Sequence, residues 1–358
     1  MLFQKEILLQ GSVSTYNQKG DKVNYSNLIE VVDAFKGKKL MVIGDLLLDH
    51  IIRGEVSRIS PEAPVPVVWA KHLEDEDEYM PGGACNVARN LSTLGADVLL
   101  VGVVGDDKKA DKLKALLVDD KVNVEGVITD NDRPTTLKTR IFAGRGLHQQ
   151  VLRIDRERID DIEGEVKDKV QEFIAANIDD VDGIIIEDYG KGVIAADVIG
   201  TVLDKHKNKI VAVDPKENHL ELYKNVSLIT PNHHEAANMV GFDIDSDETL
   251  LKAGEKLLKE EKAEIILITL GEKGMMVFQK KGRPELIPTL AQEVSDVSGA
   301  GDTVIAVYTL ALVSGATPIM AANIANCAAG VVVAKAGPAV VQVDELVVRI
   351  KKLTKEAK

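Results

Sequence analysis

The chain has 358 residues, 45% of them hydrophobic and 28% charged, with a formal net charge of −13. That size and apolar fraction suit one large α/β domain, with or without a small appendage. The acidic balance argues against a nucleic-acid partner, whose phosphates need a basic face, but it permits a small anionic substrate held by a local group of Lys and Arg.

Residues 1–36 carry weak periodicity and read as an N-terminal extension, partly disordered, with room for one short helix over 25–35. Residues 39–44 are a buried strand running out at Asp45 and Asp49, where open α/β sheets bind ligands. Residues 51–73 change character. Pro61, Pro64 and Pro66 forbid a helix and favour an edge strand, and the acidic run at 74–78 reads as a solvated loop. Gly82 and Gly83 then open a helix over about 84–95, with Asn86 offering both a donor and an acceptor. Strands follow at 98–104 and 122–127, separated by a charged amphipathic helix. The stretch 134–155 alternates like two hairpin strands around Gly144 and Gly146. With residues 51–73 it makes a second, smaller sheet whose polar face carries Lys138, Arg140 and Arg153.

From residue 159 the pattern is regular. Helices at 162–178, 194–207 and 248–261 alternate with strands at 183–186, 209–215, 226–230 and 264–269. Such alternation predicts a mostly parallel central sheet with helices on both faces. Polar or Gly-rich groups follow these strands: 187–192 with Lys191, Asp214 to Lys216, Asn232 to Glu235, and Thr269 to Gly274. They therefore fall at one edge of the sheet, which is the physical case for a single site.

The strongest stretch is Asp296-Val297-Ser298-Gly299-Ala300-Gly301-Asp302-Thr303, running into an apolar helix. Unpaired N–H groups at the start of that helix make an anion site suited to phosphate. Asp302 stands at its mouth, as a cap or as a base for a hydroxyl aimed at phosphate. An anion hole beside a base is what phosphoryl transfer to an alcohol needs. A second helix at 318–335, a break at 336–338 and a charged terminal helix close the chain.

Several classes are excluded. No Gly-x-Gly-x-x-Gly turn follows the first strand, so a nicotinamide-dependent dehydrogenase fails on motif position. Neither a P-loop nor a protein-kinase motif set occurs. His148, His219, His233 and His234 lack metal-site spacing. Cys85 and Cys327 lie in apolar helical patterns and read as buried reduced thiols. No apolar run reaches the ~18 residues of a membrane helix, and no leader pattern opens the chain. A cytoplasmic protein with no membrane partner is expected.

Four ordered motifs resemble the ribokinase (PfkB) family of sugar kinases: Gly82 to Asn86, Asn232 to Glu235, Thr269 to Gly274 and Asp296 to Thr303. The likeness runs from about residue 37 to the end and implies a ribokinase-like kinase domain over 37–358. The run Ser57-Arg58-Ile59-Ser60-Pro61-Glu62-Ala63-Pro64-Val65-Pro66-Val67 narrows it. So do Gly44 to Asp49, Asp188 to Lys191 and Asp214 to Lys216. Together they are similar to the kinase part of the ADP-heptose-forming enzymes. That resemblance implies ATP-dependent phosphorylation of the anomeric hydroxyl of D-glycero-β-D-manno-heptose 7-phosphate, in the supply of lipopolysaccharide core.

The same resemblance implies the roles. Asp302 is the general base, with the backbone of Gly299, Ala300 and Gly301 as the anion hole. Asn232, His233, His234, Glu235, Thr269, Gly271 and Gly274 lie along ATP, Glu235 holding Mg²⁺ through water. Asp45, Asp49, Gly82, Gly83 and Asn86 hold the sugar, and Arg140, Arg153, Lys191 and Lys216 are candidates for its 7-phosphate. Asp296 is the nearest candidate for a monovalent cation such as K⁺. The small sheet closes as a lid, and a homodimer through it is implied. Two alternatives stay open: a kinase of the same fold acting on ribose, fructose or a fructose phosphate, and a non-catalytic nucleotide or sugar sensor.

Overall fold

Strand β1 (Lys39–Gly44) lies in the middle of the molecule because its side chains face apolar layers on both sides. Leu40 and Val42 point into one core, Met41 and Ile43 into the other, as the two-residue repeat of a strand requires. The computed structural model describes residues 25–70, 77–144, 149–290, 294–335, 337 and 339–356. Residues 74–76 of the acidic run, the hairpin tip with Gly146 and His148, and Ala336 and Pro338 lie outside them.

The remaining strands are β2 (Leu46–Ile59), β3 (Pro66–Ala70), β4 (Glu78–Gly83), β5 (Asp97–Gly105), β6 (Asn123–Asp130), β7 (Thr136–Ala143), β8 (Gln149–Arg156), β9 (Gly183–Glu187), β10 (Ile210–Asp214), β11 (Leu228–Ile229), β12 (Ile265–Thr269), β13 (Met275–Gln279) and β14 (Glu285–Ile287). The large sheet has nine strands in the order β14-β13-β12-β11-β10-β9-β1-β5-β6. It is parallel from β12 to β6, with β13 and β14 antiparallel at one edge. Sequence reading did not foresee β13 and β14, two short strands of five and three residues.

Helices α1 (Tyr25–Asp33), α2 (Ala84–Thr93), α3 (Lys108–Asp119), α8 (Ala300–Val313), α9 (Pro318–Val332) and α10 (Val343–Glu356) cover one face. Helices α4 (Gly164–Asn177), α5 (Ala196–Lys205), α6 (His233–Val240) and α7 (Asp247–Glu261) cover the other. Helix α8 is apolar all round, as a helix sandwiched between the sheet and α9 must be. Helix α1 falls inside the stretch expected as an extension, yet Leu28 and Phe35 are fully buried and α1 packs on α10. Cys85 and Cys327 are buried free thiols, both pushed up to about 12 by burial. No helix among the described residues is long and apolar enough to cross a membrane.

The second sheet has the order β3-β2-β7-β8, with β4 also paired to β2. It begins at Leu46, one residue after β1, rather than near residue 51. Leu46, Leu47 and Leu48 continue the apolar run of β1, so periodicity could not separate the two strands. Asp49 therefore sits within the small sheet, opposite Met80 of β4 and Lys138 of β7.

Candidate active site

Asp302 lies in the first turn of α8 and is only 6% exposed. Asn86, in the first turn of α2, donates from Nδ2 to Asp302 Oδ2 at 2.7 Å. Tyr189, on the loop after β9, donates its hydroxyl to Oδ1 at 3.1 Å. Burial raises the carboxyl above the ordinary aspartate range, against the two hydrogen bonds that favour its charged form. The group is thus a stronger base than a solvated aspartate, and it is fixed in orientation. Gly299 caps α8 at φ 76°, and a Cβ there would lie 2.6 Å from Asn86 Nδ2. Only glycine allows that backbone and that approach together.

The amide of Ala300 is taken by the Val297 carbonyl at 3.2 Å. The Thr303 amide is taken by the Gly299 carbonyl at 3.0 Å, which leaves the amides of Gly301 and Asp302 as the first-turn donors without a helical carbonyl. A Cβ on Gly301 would meet nothing nearer than Asp214 Oδ2 at 3.9 Å, so the backbone there is open to the cleft. Two adjoining cavities meet it. The inner, about 280 Å³, is lined by Tyr189, Asp214, Lys216, Gly299, Gly301 and Asp302 among others. The outer, about 550 Å³, is lined by His233, His234, Asn238, Gly271 and Val297 among others. Asn232, Glu235 and Thr269 line both. A nucleotide-sized space thus ends at a helix N-terminus and a buried carboxylate.

The model of the pfkB family of carbohydrate kinases matches residues 38–344. This chain belongs to that family. A curated relative from Helicobacter hepaticus, "Bifunctional protein HldE", is 43% identical over 313 residues, which are 87% of this chain and 63% of that protein. Another of the same name from Desulfatibacillum aliphaticivorans is 43% identical over 317 residues, 88% of this chain and 63% of that protein. The chain therefore spans less than two thirds of the length of these relatives. Among solved structures, Arabidopsis thaliana ribokinase complexed with ribose and ATP superposes with a TM-score of 0.70 at 20% identity, over 88% of this chain and 99% of that one. Phosphofructokinase-2 from Escherichia coli in complex with potassium gives 0.69 at 16%, over 89% and 99%. The fold is ribokinase-like and the enzyme is an ATP-dependent sugar kinase.

In this pfkB kinase the structure brings most of the expected residues together. Asn232 caps α6, its Oδ1 accepting from the amides of His234 (2.9 Å) and Glu235 (3.0 Å), while Glu235 Oε2 accepts from the Asn232 amide at 2.8 Å. This capping box turns both side chains toward the cavities. Gly271 lines the outer cavity. Gly274 lines neither: a Cβ there would lie 2.1 Å from the Ile287 carbonyl, so its requirement comes from packing against β14. Gly82 and Gly83 end β4, and Gly82 lies against Asp49, where a Cβ would be 2.8 Å from Oδ2.

Other expected ligands are engaged within the protein. Asp45 Oδ2 accepts from the amides of Tyr189 and Lys191, both at 2.9 Å, and Oδ1 from Val193 at 3.1 Å. It anchors the loop that carries Tyr189, and burial pushes its carboxyl up to about 6. Asp296 accepts from the amides of Ser298 (2.9 Å) and Gly337 (3.1 Å), so neither oxygen lacks a donor. These bonds anchor the loop and leave a further lone pair on each oxygen. Arg140 is paired with Asp49, Arg153 with Asp155 at 2.9 Å, and Lys191 with Glu157 at 2.6 Å. Lys216 lines the inner cavity, its Nζ 4.0 Å from Glu217.

Sequence reasoning did not single out Tyr189, Glu187 or Asp214 as site residues. Carboxylate oxygens of Glu187, Asp214 and Asp302 lie within 4.8 Å of one another. Burial and mutual repulsion hold Glu187 and Asp214 well above the usual carboxylate range, so the group carries less charge than its number of carboxylates. The available signal was their place at the ends of β9 and β10.

Proposed function

We propose that this kinase phosphorylates the anomeric hydroxyl of D-glycero-β-D-manno-heptose 7-phosphate, giving the 1,7-bisphosphate on the way to ADP-heptose and lipopolysaccharide core. The observation that carries the chemistry is the buried Asp302 carboxylate, held by Asn86 and Tyr189 beside the N-terminus of α8. The two relatives named HldE, and the motifs around residues 57–67 and 188–191, support the choice of sugar.

Asp302 accepts the proton of the sugar hydroxyl as the hydroxyl oxygen bonds to the terminal phosphorus of ATP, and the bond from that phosphorus to the bridging oxygen breaks to release ADP. First-turn amides of α8 face the negative charge that spreads over the phosphoryl oxygens, where prearranged donors are worth several kcal/mol. The cluster of Glu187, Asp214 and Asp302 suits a hard divalent ion, because its donors are all oxygens and Glu187 Oε2 is buried without a hydrogen-bond partner. Glu235 would hold Mg²⁺ through water, and the ion would neutralise charge on the phosphates of ATP. The lid sheet excludes water that would otherwise take the phosphoryl group.

The lid also carries the proposed homodimer contact. Leu152 and Ile154 are 53% and 42% exposed on β8. Strand alternation puts them on the face opposite Lys138, Arg140 and Arg153. Exposed apolar side chains on an otherwise ordered sheet suit a partner surface.

An ATP-consumption screen over heptose 7-phosphate, ribose, fructose and fructose 6-phosphate tests the proposal. The heptose phosphate should give the highest kcat/KM. Preference for any of the others would displace it.

A further inference from the structure

Four cations and three carboxylates share the cleft-facing side of the lid and the segment after it. Three pairs are closed: Arg140 with Asp49, Arg153 with Asp155, and Lys191 with Glu157. Lys138 is the fourth cation. It lies on β7 directly opposite Asp49 of β2 and Asp155 of β8, yet both of those carboxylates have an arginine of their own. Among the described residues the contact recorded for its ammonium is the ring of Tyr189, 5.1 Å from Nζ to the centroid. Among these seven groups Lys138 is the one not closed into an ion pair, in a chain whose net charge is −13.

Burial of the ammonium lowers its pKa, against the pull of Asp49, and Lys191 adds to the lowering. A half-buried cation without a carboxylate is a costly arrangement in a finished fold. It becomes favourable when an anion arrives. The place is specific, because Tyr189 donates its hydroxyl to Asp302 at 3.1 Å. Lys138 and the base thus contact one phenol side chain, the ammonium over its ring and the carboxylate at its hydroxyl. An acceptor whose hydroxyl meets Asp302 would present its far end to Lys138.

We infer that Lys138 is the cation that receives the phosphate carried by the sugar acceptor, and so selects phosphorylated over neutral sugars. This rests on the proposed function only in requiring a phosphorylated acceptor. Arg140, Arg153 and Lys191 then serve mainly to occupy the nearby carboxylates, which would otherwise neutralise Lys138. The stack on Tyr189 holds the ammonium in place in the absence of substrate.

The test compares wild type with Lys138→Met and Lys138→Arg, using heptose 7-phosphate and the same heptose without its phosphate. In Lys138→Met the KM for the phosphosugar should rise roughly 10- to 100-fold, the scale of a lost charge-assisted hydrogen bond. KM for ATP and for the neutral heptose should stay within about twofold, which also shows that the variant is folded. Lys138→Arg should recover most of the loss. An unchanged KM for the phosphosugar overturns the inference, and so does an equal rise for both sugars, since that marks a packing role. If wild type prefers a different phosphosugar and Lys138→Met raises its KM, the heptose reading falls while Lys138 stands. If wild type turns over only neutral sugars, both fall.

Discussion

The edge of the large sheet and the small lid sheet solve opposite problems with the same residue types. At the edge, carboxylates are buried and mostly bound by backbone amides or uncharged donors: Asp45 by three amides, Asp302 by Asn86 and Tyr189. Their pKa values are raised because burial outweighs those bonds. On the small sheet, carboxylates meet arginines: Asp155 pairs with Arg153 near solvent, and the buried Asp49 pairs with a partly exposed Arg140. Fixed donors hold the Asp302 carboxylate in one orientation and let burial tune it, whereas an exposed pair such as Arg153–Asp155 contributes little to stability. Under the proposed function the edge carries the chemistry, and the small sheet carries selection and closure.

The comparison breaks most sharply at Asp302. Asp302→Asn keeps the shape and the Tyr189 donor but removes the base, so kcat should fall at least ~10²-fold, the scale of losing general-base catalysis. ATP binding, read by isothermal titration, should persist. A variant retaining more than a tenth of wild-type kcat would mean that the carboxylate is only a helix cap. Next in size is the far face of the lid. Leu152→Asp would place an unpaired charge in the proposed dimer contact and should raise the dimer dissociation constant by ~100-fold or more. Sedimentation velocity reads this directly, and a wild type that is monomeric at high concentration would refute that use of the lid.

Tyr189 joins the two regions, since its hydroxyl serves the base while its ring carries Lys138. Tyr189→Phe should cost about tenfold or less in kcat, the scale of one neutral hydrogen bond. Its signature is in the pH profile. The base works as the carboxylate, so the rate falls as pH drops through the Asp302 pKa. Loss of the phenol donor removes a bond that favours the charged form, raises that pKa and moves the acid limb to higher pH. An unmoved limb would separate Tyr189 from the base.

The two regions were also unequally legible in the sequence. Alternating strands and helices gave the large sheet and its functional edge, because each periodic segment is long and each strand ends in Gly or a polar residue. The Gly299 to Asp302 stretch was readable only beside the other motifs, because a Gly-rich loop before a helix is common and an acid there is usually a cap. The lid was blurred. Its first strand follows β1 through the apolar run Leu46 to Leu48, and β4 ends in Gly82 and Gly83, which read as the opening of a helix. Individual charges were the least legible. Arg140, Arg153, Lys191 and Lys138 look alike in a one-dimensional string, and only cross-strand register shows which of them already has a partner. Asp45 misleads in a similar way, because a carboxylate after a strand reads as a ligand until the amides of residues 189, 191 and 193 are seen to fill it.

Asp45 therefore supplies the smallest and most diagnostic effect. Two forces act on it in opposite directions: burial disfavours its charge, and three amides favour it. Burial prevails, with the pKa raised from 3.8 to about 6. Between those values the folded protein holds a proton that the unfolded chain releases. The stability tied to this group is thus complete below pH 3.8 and is lost as pH rises through about 6. Asp45→Asn, with one acceptor oxygen where three amides converge, should be less stable than wild type at every pH. Because Asn does not titrate, the difference in Tm between the two proteins should widen by about 2–3 °C as pH falls from 7 to about 4.5, each kcal/mol being worth roughly 1–2 °C in a chain of 358 residues. A gap that narrows on acidification would mean that the amides win, with Asp45 charged throughout, and the account of how burial tunes carboxylates along this edge would have to be reversed.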